Sequence, residues 1–450
     1  MTTLESTAAP RPQSNSEKQP ALIPAAFLIP FILITCCFAL WGFANDITNP
    51  MVAAFQKIFL TGATEATWVQ VAFYGGYGAM AFPAALFIRK YSYKAGILMG
   101  LFLYAIGGLL FIPASSVGEF FPFLVAYFVI TCGLSFLETT ANPYILSMGP
   151  AETATRRLNL AQAFNPIGSL IGMYTASQVI LANLDARGKA ERELLSMAEF
   201  DTVKAADLAV VSQPYVMIGV VIALMFVLIA FIKMPVGKPP EARDVSLAAI
   251  FGRLRHSKSY REGVVAQMFY VGAQIMCWTF IIHYGTDVFM ARGMGEKEAQ
   301  VLSQQYNIVA MIIFCASRFI CTFFLKFIHP GTLLMTLACG GMALSVGTIM
   351  LGGVAGLYCL VLISACMSLM FPTIYAIALK GLDGDDAKFA AAGLIMAIVG
   401  GTFLPMLQAG VIDTWSLGLV SAVQASFALP LLCFVVIATY GYRTVKFYDS

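Results

Sequence analysis

Two carboxylates sit where the sequence otherwise suits a lipid interior: Asp46 in "FALWGFANDITNP" and Glu138 in "CGLSFLETTANPYIL". A charge at mid-membrane costs at least ~2.5 kcal/mol on insertion scales, so each acid must face a cavity, a partner or a proton. Glu138 has Asn142 one turn on, with Pro143 freeing backbone carbonyls beside it. Desolvation disfavours the charged form, so such a Glu is expected to bind and release a proton near neutral pH. The competing reading is a salt bridge to Arg156 or Arg157, three turns or more away. At about 100° per residue, Trp41, Asn45 and Thr48 lie within about 60° of one another, with Asn49 beside them and Asp46 about 60° beyond it. One stripe thus carries an aromatic plate, amides and an acid; its alternative role is an interhelical cluster that only holds helices together.

The amides suggest what the acids accompany. "LNLAQAFNPIG" supplies Asn159, Gln162 and Asn165 ahead of Pro166 and Gly168, and "AQMFYVGAQIMCWTF" places Gln267, Gln274 and Trp278 on one face. An amide both donates to and accepts from a hydroxyl, and an indole stacks on the apolar face of a sugar. The expected ligand is neutral and hydroxyl-rich. His283 falls about 180° from Gln274 on an ideal helix, so it reads equally as a helix contact or a site residue. Arg318 shares a face with Gln304, Asn307 and Cys315; bracing a loop is favoured over snorkelling to the surface.

Twelve apolar runs must position these groups. Of 450 residues 59% are hydrophobic and 11% charged, far from the roughly 25% charged of a soluble chain. Spans of ~20 residues are predicted near 23–53, 67–89, 95–114, 119–146, 157–182 and 213–233, then near 263–290, 299–327, 332–351, 354–379, 389–412 and 417–440. The expected fold is an all-α membrane protein, twelve transmembrane helices in two six-helix bundles, as in transporters built from repeats. The implied organisation is a disordered tail over 1–20, bundles over 21–235 and 261–443, a linker over 236–260 and a tail over 444–450. "NPYILSMGPAETATRR" and "FPTIYAIALKGLDGDDAK" echo each other weakly at the ends of the fourth and tenth spans. With both termini inside, 19 Lys and Arg fall in inner loops and tails and 7 outside, the bias expected for cytoplasmic termini. The outer segment 183–212 is expected as a short helix or cap.

Several classes lack their parts. No G-x-S-x-G, H-E-x-x-H, Walker-type or G-x-G-x-x-G string occurs, so hydrolase, zinc, ATPase and dinucleotide chemistry are set aside and an enzyme is not expected. A net charge of +3 spread over short loops argues against nucleic acid as a partner. All ten cysteines lie in apolar runs without C-x-x-C spacing, as small buried hydrophobes do. No N-x-S/T sequon occurs, which favours a bacterial source.

"LWGFANDITNP", "FLETTANP", "RRLNLAQAFNP", "YVGAQIMCW" and "FPTIYAIALKGL" closely resemble the fucose-proton and glucose/galactose permeases of the major facilitator superfamily, from about residue 25 to residue 440. The resemblance implies a central sugar site, alternating access driven by proton uptake, a proton-linked role for Glu138, and a sugar cavity lined by Gln162 and Asn165. Fucose permeases carry an acid at the position of Asn49 and an Asn at that of Asp46; here the two are exchanged. "FANDITNP" is thereby nearer the glucose/galactose branch. Their Tyr before Pro-Thr-Ile is Phe371 here, and their seventh-helix Arg is matched by His283. The expected function is proton-coupled symport of a neutral hexose into the cell across a bacterial inner membrane. Glu138 and Asp46 would handle protons; Trp41, Asn45, Asn49, Asn142, Gln162, Asn165, Gln274 and Trp278 would meet the sugar. No cofactor is expected, the proton being the coupling ion, and the chain is expected to work as a monomer. The alternatives are a sodium-coupled or uncoupled hexose carrier and, from another class, a drug or lipid exporter.

Overall fold

The computed structural model describes residues 21–48, 51–61, 68–187, 189–235, 246–414 and 421–448. The expected tail 1–20 and the linker residues 236–245 lie outside them, as does Asn49. The described chain is helical throughout. In order it comprises α1 (Leu28–Thr48), α2 (Met51–Phe59), α3 (Trp68–Lys90), α4 (Tyr93–Leu109), α5 (Phe111–Val117), α6 (Phe120–Ser147), α7 (Ala154–Gln162), α8 (Asn165–Tyr174), α9 (Lys189–Arg192) and α10 (Met197–Phe231). The second half comprises α11 (Leu247–His256), α12 (Lys258–Met290), α13 (Glu296–Phe324), α14 (Pro330–Leu351), α15 (Gly353–Met367), α16 (Met370–Ala378), α17 (Gly384–Met396), α18 (Gly400–Thr414), α19 (Ala422–Ser426) and α20 (Ala428–Arg443).

Among the described residues, eleven helical stretches are long and apolar enough to cross a membrane. The fifth expected span is not one of them, and its helix is broken. α7 stops at Gln162, α8 starts at Asn165 with Pro166 in its first turn, and a π turn and a 3₁₀ turn finish the run at Asn183. Proline is at home in a first helical turn, where its missing N–H costs nothing. The tenth span also breaks, between Met367 and Met370, ahead of Pro372, whereas the fourth passes through Pro143 unbroken. The two halves therefore do not echo each other at those prolines. The eleventh bends through a 3₁₀ turn at Ala397–Val399.

The outer segment differs from the expected separate cap. Its second half is the start of α10, opened by a Ser196/Glu199 capping box, in which each side chain satisfies the other residue's backbone N–H. Only α9 stands apart. It is pinned by Arg192, 1% exposed, whose Nη2 meets Asp207 Oδ2 at 2.5 Å and whose Nε donates to the Arg187 carbonyl at 3.0 Å.

Within each half the spans pack closely: α3 and α4 on α6, α1 on α8 and α4 on α10; then α14 on α15 and α20, and α12 on α13, α18 and α20. The α1–α8 seam is tightest. A Cβ at Gly42 would lie 1.9 Å from the Asn165 carbonyl oxygen, and one at Gly168 1.7 Å from that of Ala39. Only glycine permits such a backbone approach.

The two halves meet at one end, where residues 21–24, 89–94, 148–157 and 380–388 gather; we term it the tail end. There α3 and α6 pack on α17, and α7 on α13 and α16. Arg89 pairs with Asp385 at 2.8 Å. α11 straps across the junction, with Arg253 forked onto Asp386 at 2.7 and 2.6 Å. The Phe251 ring joins those of Phe82 and Phe389, at 5.9 and 6.0 Å, which themselves meet at 5.6 Å.

Candidate functional site

The glycine seam places the first acid. α1 lies directly on α8, so Asp46 comes within reach of the Ser169 hydroxyl, and Asn165 Nδ2 donates to the Phe38 carbonyl at 3.2 Å. Asn45, Asp46 and Asn165 are half-buried, each keeping an accessible edge. Tyr74 of α3 lies in the field of Asp46. Trp41 differs from the expected open plate: it is 1% exposed, sits edge-on to Phe38 at 4.2 Å, and its Nε1 is buried without a partner. Thr48 spends its hydroxyl on the Ala44 carbonyl at 2.7 Å.

Glu138 is half-buried on α6 and accepts a hydrogen bond from the Tyr77 hydroxyl at 3.2 Å. The salt-bridge alternative does not form with Arg157, which donates instead to the carbonyls of Ile145 at 2.8 Å, Leu146 at 2.6 Å and Leu22 at 3.2 Å. One turn below Glu138, the fully buried Asn142 accepts from Gln162 Nε2 at 2.9 Å, while its own Nδ2 has no partner. Asn159 reaches across the halves to the Thr373 hydroxyl at 3.1 Å.

The second half supplies the facing wall. Gln274 and Trp278 are half-buried on α12, the indole donating to Ser364 Oγ at 3.2 Å and set edge-on to Phe314 at 5.0 Å. Gln267 is fully buried with both amide atoms unpartnered. His283 is exposed, away from this face, as its angular offset from Gln274 requires.

Arg318 does something that sequence spacing does not reveal. It is 4% exposed and has no carboxylate partner among the described residues. Its Nη1 donates to the Gln162 carbonyl at 3.0 Å and its Nε to the Ser368 carbonyl, with the guanidinium 4.6 Å over the Phe314 ring. Those carbonyls are freed by the two helix breaks, one in each half. The C-terminal carbonyls of a helix carry partial negative charge, so one cation answers both ends. It braces the two halves and not a loop.

Spans gathered in two sets around half-buried acids and amides, with helices broken at the level of those groups, define a polytopic membrane carrier. The chain belongs to the Major Facilitator Superfamily, whose family model matches residues 34–403. It is 53% identical over 425 residues to the L-fucose-proton symporter of Haemophilus influenzae, covering 93% of this chain and 97% of that one. It is 29% identical over 411 residues to a glucose/galactose transporter of Brucella abortus, covering 91% and 92%. The crystal structure of the transporter FucP in the outward conformation superimposes with a TM-score of 0.83 at 33% identity, covering 93% of this chain and 99% of that one. Over the whole chain the fucose relative is thus the more similar of the two, against the branch that "FANDITNP" alone suggests. These relatives are transporters, not enzymes.

Proposed function

We propose that this chain is a proton-coupled symporter of a neutral hexose, L-fucose first among candidates, with galactose and glucose after it. One observation carries the proton: Glu138 stands in a span with a tyrosine hydroxyl as its bonded partner and no basic side chain paired to it among the described residues. A carboxylate so placed is stable only when it can be neutralised. The names of the relatives at 53% and 29% identity support sugar as the cargo. Asn45, Gln162, Asn165, Gln274 and Trp278 supply amides and an indole for its hydroxyls and apolar face. Asn142 orients Gln162, and Trp41 backs the platform from beneath. Asp46 is the second acid, with Asn49 after it in sequence.

The bias of Lys and Arg puts the tail end, and both termini, in the cytoplasm of a bacterium and the chain in its inner membrane. Bundles over 21–235 and 261–443, joined by 236–260 and flanked by tails over 1–20 and 444–450, are the moving units of a monomer. The ties at the tail end then make this the outward-facing state.

In liposomes in sodium-free buffer, L-fucose should drive proton uptake and a current that responds to pH. Glu138→Gln, neutral and near-isosteric, should keep sugar exchange and lose accumulation. Asp46→Asn should lose most of the current, with partial recovery when Asn49→Asp is added. A current that requires sodium and ignores pH would replace this reading with sodium coupling, and a Glu138→Gln protein that still accumulates sugar would remove Glu138 from the proton step.

A further inference from the structure

Phe314 touches both a side chain offered to the sugar and the cation that ties the halves. It is buried on α13, with the Trp278 indole edge-on to it at 5.0 Å and the Arg318 guanidinium over its ring at 4.6 Å. A cation gains from an aromatic ring only while it stays over the ring's face. One ring thus serves two neighbours, and it cannot give way to the indole without shifting the surface on which the guanidinium rests.

Each neighbour is anchored elsewhere. The indole Nε1 donates to Ser364 Oγ at 3.2 Å, and Ser364 is itself buried on α15. Arg318 donates from Nε to the Ser368 carbonyl and from Nη1 to the Gln162 carbonyl at 3.0 Å. Of these anchors only Gln162 belongs to the first half. Gln162 is also pinned, its Nε2 donating to Asn142 Oδ1 at 2.9 Å. Close-packed interiors pass a displacement on instead of absorbing it. Trp278 is half-buried, so a sugar stacked on its accessible side can tilt it only about the Ser364 anchor and against its packed neighbours, Phe314 among them. A shift of the Phe314 ring then moves the guanidinium. The anchor free to part is the one in the other half, because Ser368 travels with Arg318.

We infer that Phe314 is the positioning residue through which an occupied sugar site loosens the Arg318 bond between the halves. With the site empty, the ring holds the guanidinium on the Gln162 carbonyl and the tail end stays tied. With sugar on Trp278 the ring moves, that bond weakens and opening of the tail end is favoured. A ligand shifts a two-state equilibrium only through its different free energies with the two states; here the sugar and the Arg318–Gln162 bond compete for one position of Phe314. The inference rests on the reading of Trp278 as a sugar contact given above, and adds how that contact is passed to the tail end.

The test uses the full chain with cysteines placed at Tyr91 and Asp383 for spin labels, and the exposed native thiols Cys36 and Cys339 replaced by Ser. The open-to-closed ratio at the tail end is read with and without saturating L-fucose, in wild type, Phe314→Leu, Phe314→Tyr and Arg318→Met. L-fucose is expected to raise that ratio in wild type. Phe314→Leu, which keeps apolar bulk and removes the ring, is expected to lose about threefold or more of the rise, a desolvated cation–π contact converting to roughly thirtyfold. Phe314→Tyr, which keeps the ring, is expected to respond within twofold of wild type. Arg318→Met is expected to lose as much of the rise as Phe314→Leu, and adding Phe314→Leu to it should remove no more. A full sugar response in Phe314→Leu or in Arg318→Met overturns the inference, as does no response in wild type. So does an equal loss in Phe314→Tyr, or a further loss in the double variant, since packing alone would explain it. Calorimetry of L-fucose binding to Trp278→Leu separates the two readings: wild-type affinity there means that Trp278 is no sugar contact, whatever Phe314 does.

Discussion

Replacing Arg318 by Met should unfasten the tail end. Met keeps much of the side chain's volume and no donor. The bond to Ser368 and the packing on Phe314 lie within the second half; the variant lacks both whichever way the carrier faces, so their removal cancels between the two states. The bond from Nη1 to the Gln162 carbonyl crosses between the halves, and only an interaction that differs between two states shifts their equilibrium. A hydrogen bond to a charged group is worth about 1.5–3 kcal/mol. At about 1.4 kcal/mol per tenfold, the closed tail end should fall roughly 10- to 140-fold in population against the open one. Spin labels on cysteines at positions 91 and 383, one on each side of the junction, would read this directly. The wild type should show one short distance and Arg318→Met a second, longer population. An unchanged distance distribution, even with a lowered melting temperature, would refute the role of Arg318 as a fastener and leave it a brace within its own half.

Three more outcomes rest on other parts of the molecule. Gly168→Ala puts a methyl 1.7 Å from a backbone oxygen, so the α1–α8 seam must part at a cost of ~1–3 kcal/mol or more. Its melting temperature should fall while that of Gly252→Ala, whose Cβ meets nothing within 4 Å, should not. Gln162→Ala or Asn165→Ala should weaken L-fucose binding by about 0.5–1.5 kcal/mol per missing hydrogen bond, as measured by calorimetry; unchanged affinity in both, with normal melting, would reduce these amides to packing. Arg187 holds the Asp185 carboxyl below the ordinary carboxylate range by hydrogen bonds from its side chain and backbone. A depressed value means that the contribution is complete above the unfolded value and is lost only as pH falls through the folded one. Protection factors over the outer segment, corrected for the intrinsic pH dependence of amide exchange, should therefore be the same at pH 5 as at pH 7, and weaker protection at pH 5 would show that Asp185 does not hold it.

The spans are readable because lipid demands long apolar helices, and hydropathy reports that demand directly. The fifth differs in form from its hydropathy because its amides and Pro166 serve the site and break the helix; a window that averages over them registers a span and misses the break. For His283 helical angle alone suffices to turn it from the Gln274 face, since α12 is unbroken through it. Angle fails for Trp41, which shares a face with Asn45 yet lies beneath the surface, because burial depends on what neighbouring helices cover. Arg318 is unreadable for a different reason. Its partners are backbone carbonyls at Gln162 and Ser368, 156 and 50 positions away, and a carbonyl has no signature in sequence. The Tyr77 hydroxyl that meets Glu138 is likewise 61 positions off.

The seam between Gly42 and Gly168 has a consequence for how such a carrier changes its diet. Two helices in backbone contact form a plate that cannot widen or pucker, and Asn45, Asp46 and Asn165 ride on it as fixed fittings. A bulkier or differently shaped cargo cannot be admitted by loosening that plate. The room must come from the opposing wall, where Gln274 and Trp278 stand on α12 and Phe371 on α16. Variants selected for a new sugar should accordingly accumulate changes on α12 and α16, and leave the plate, with the acid it carries, as it was.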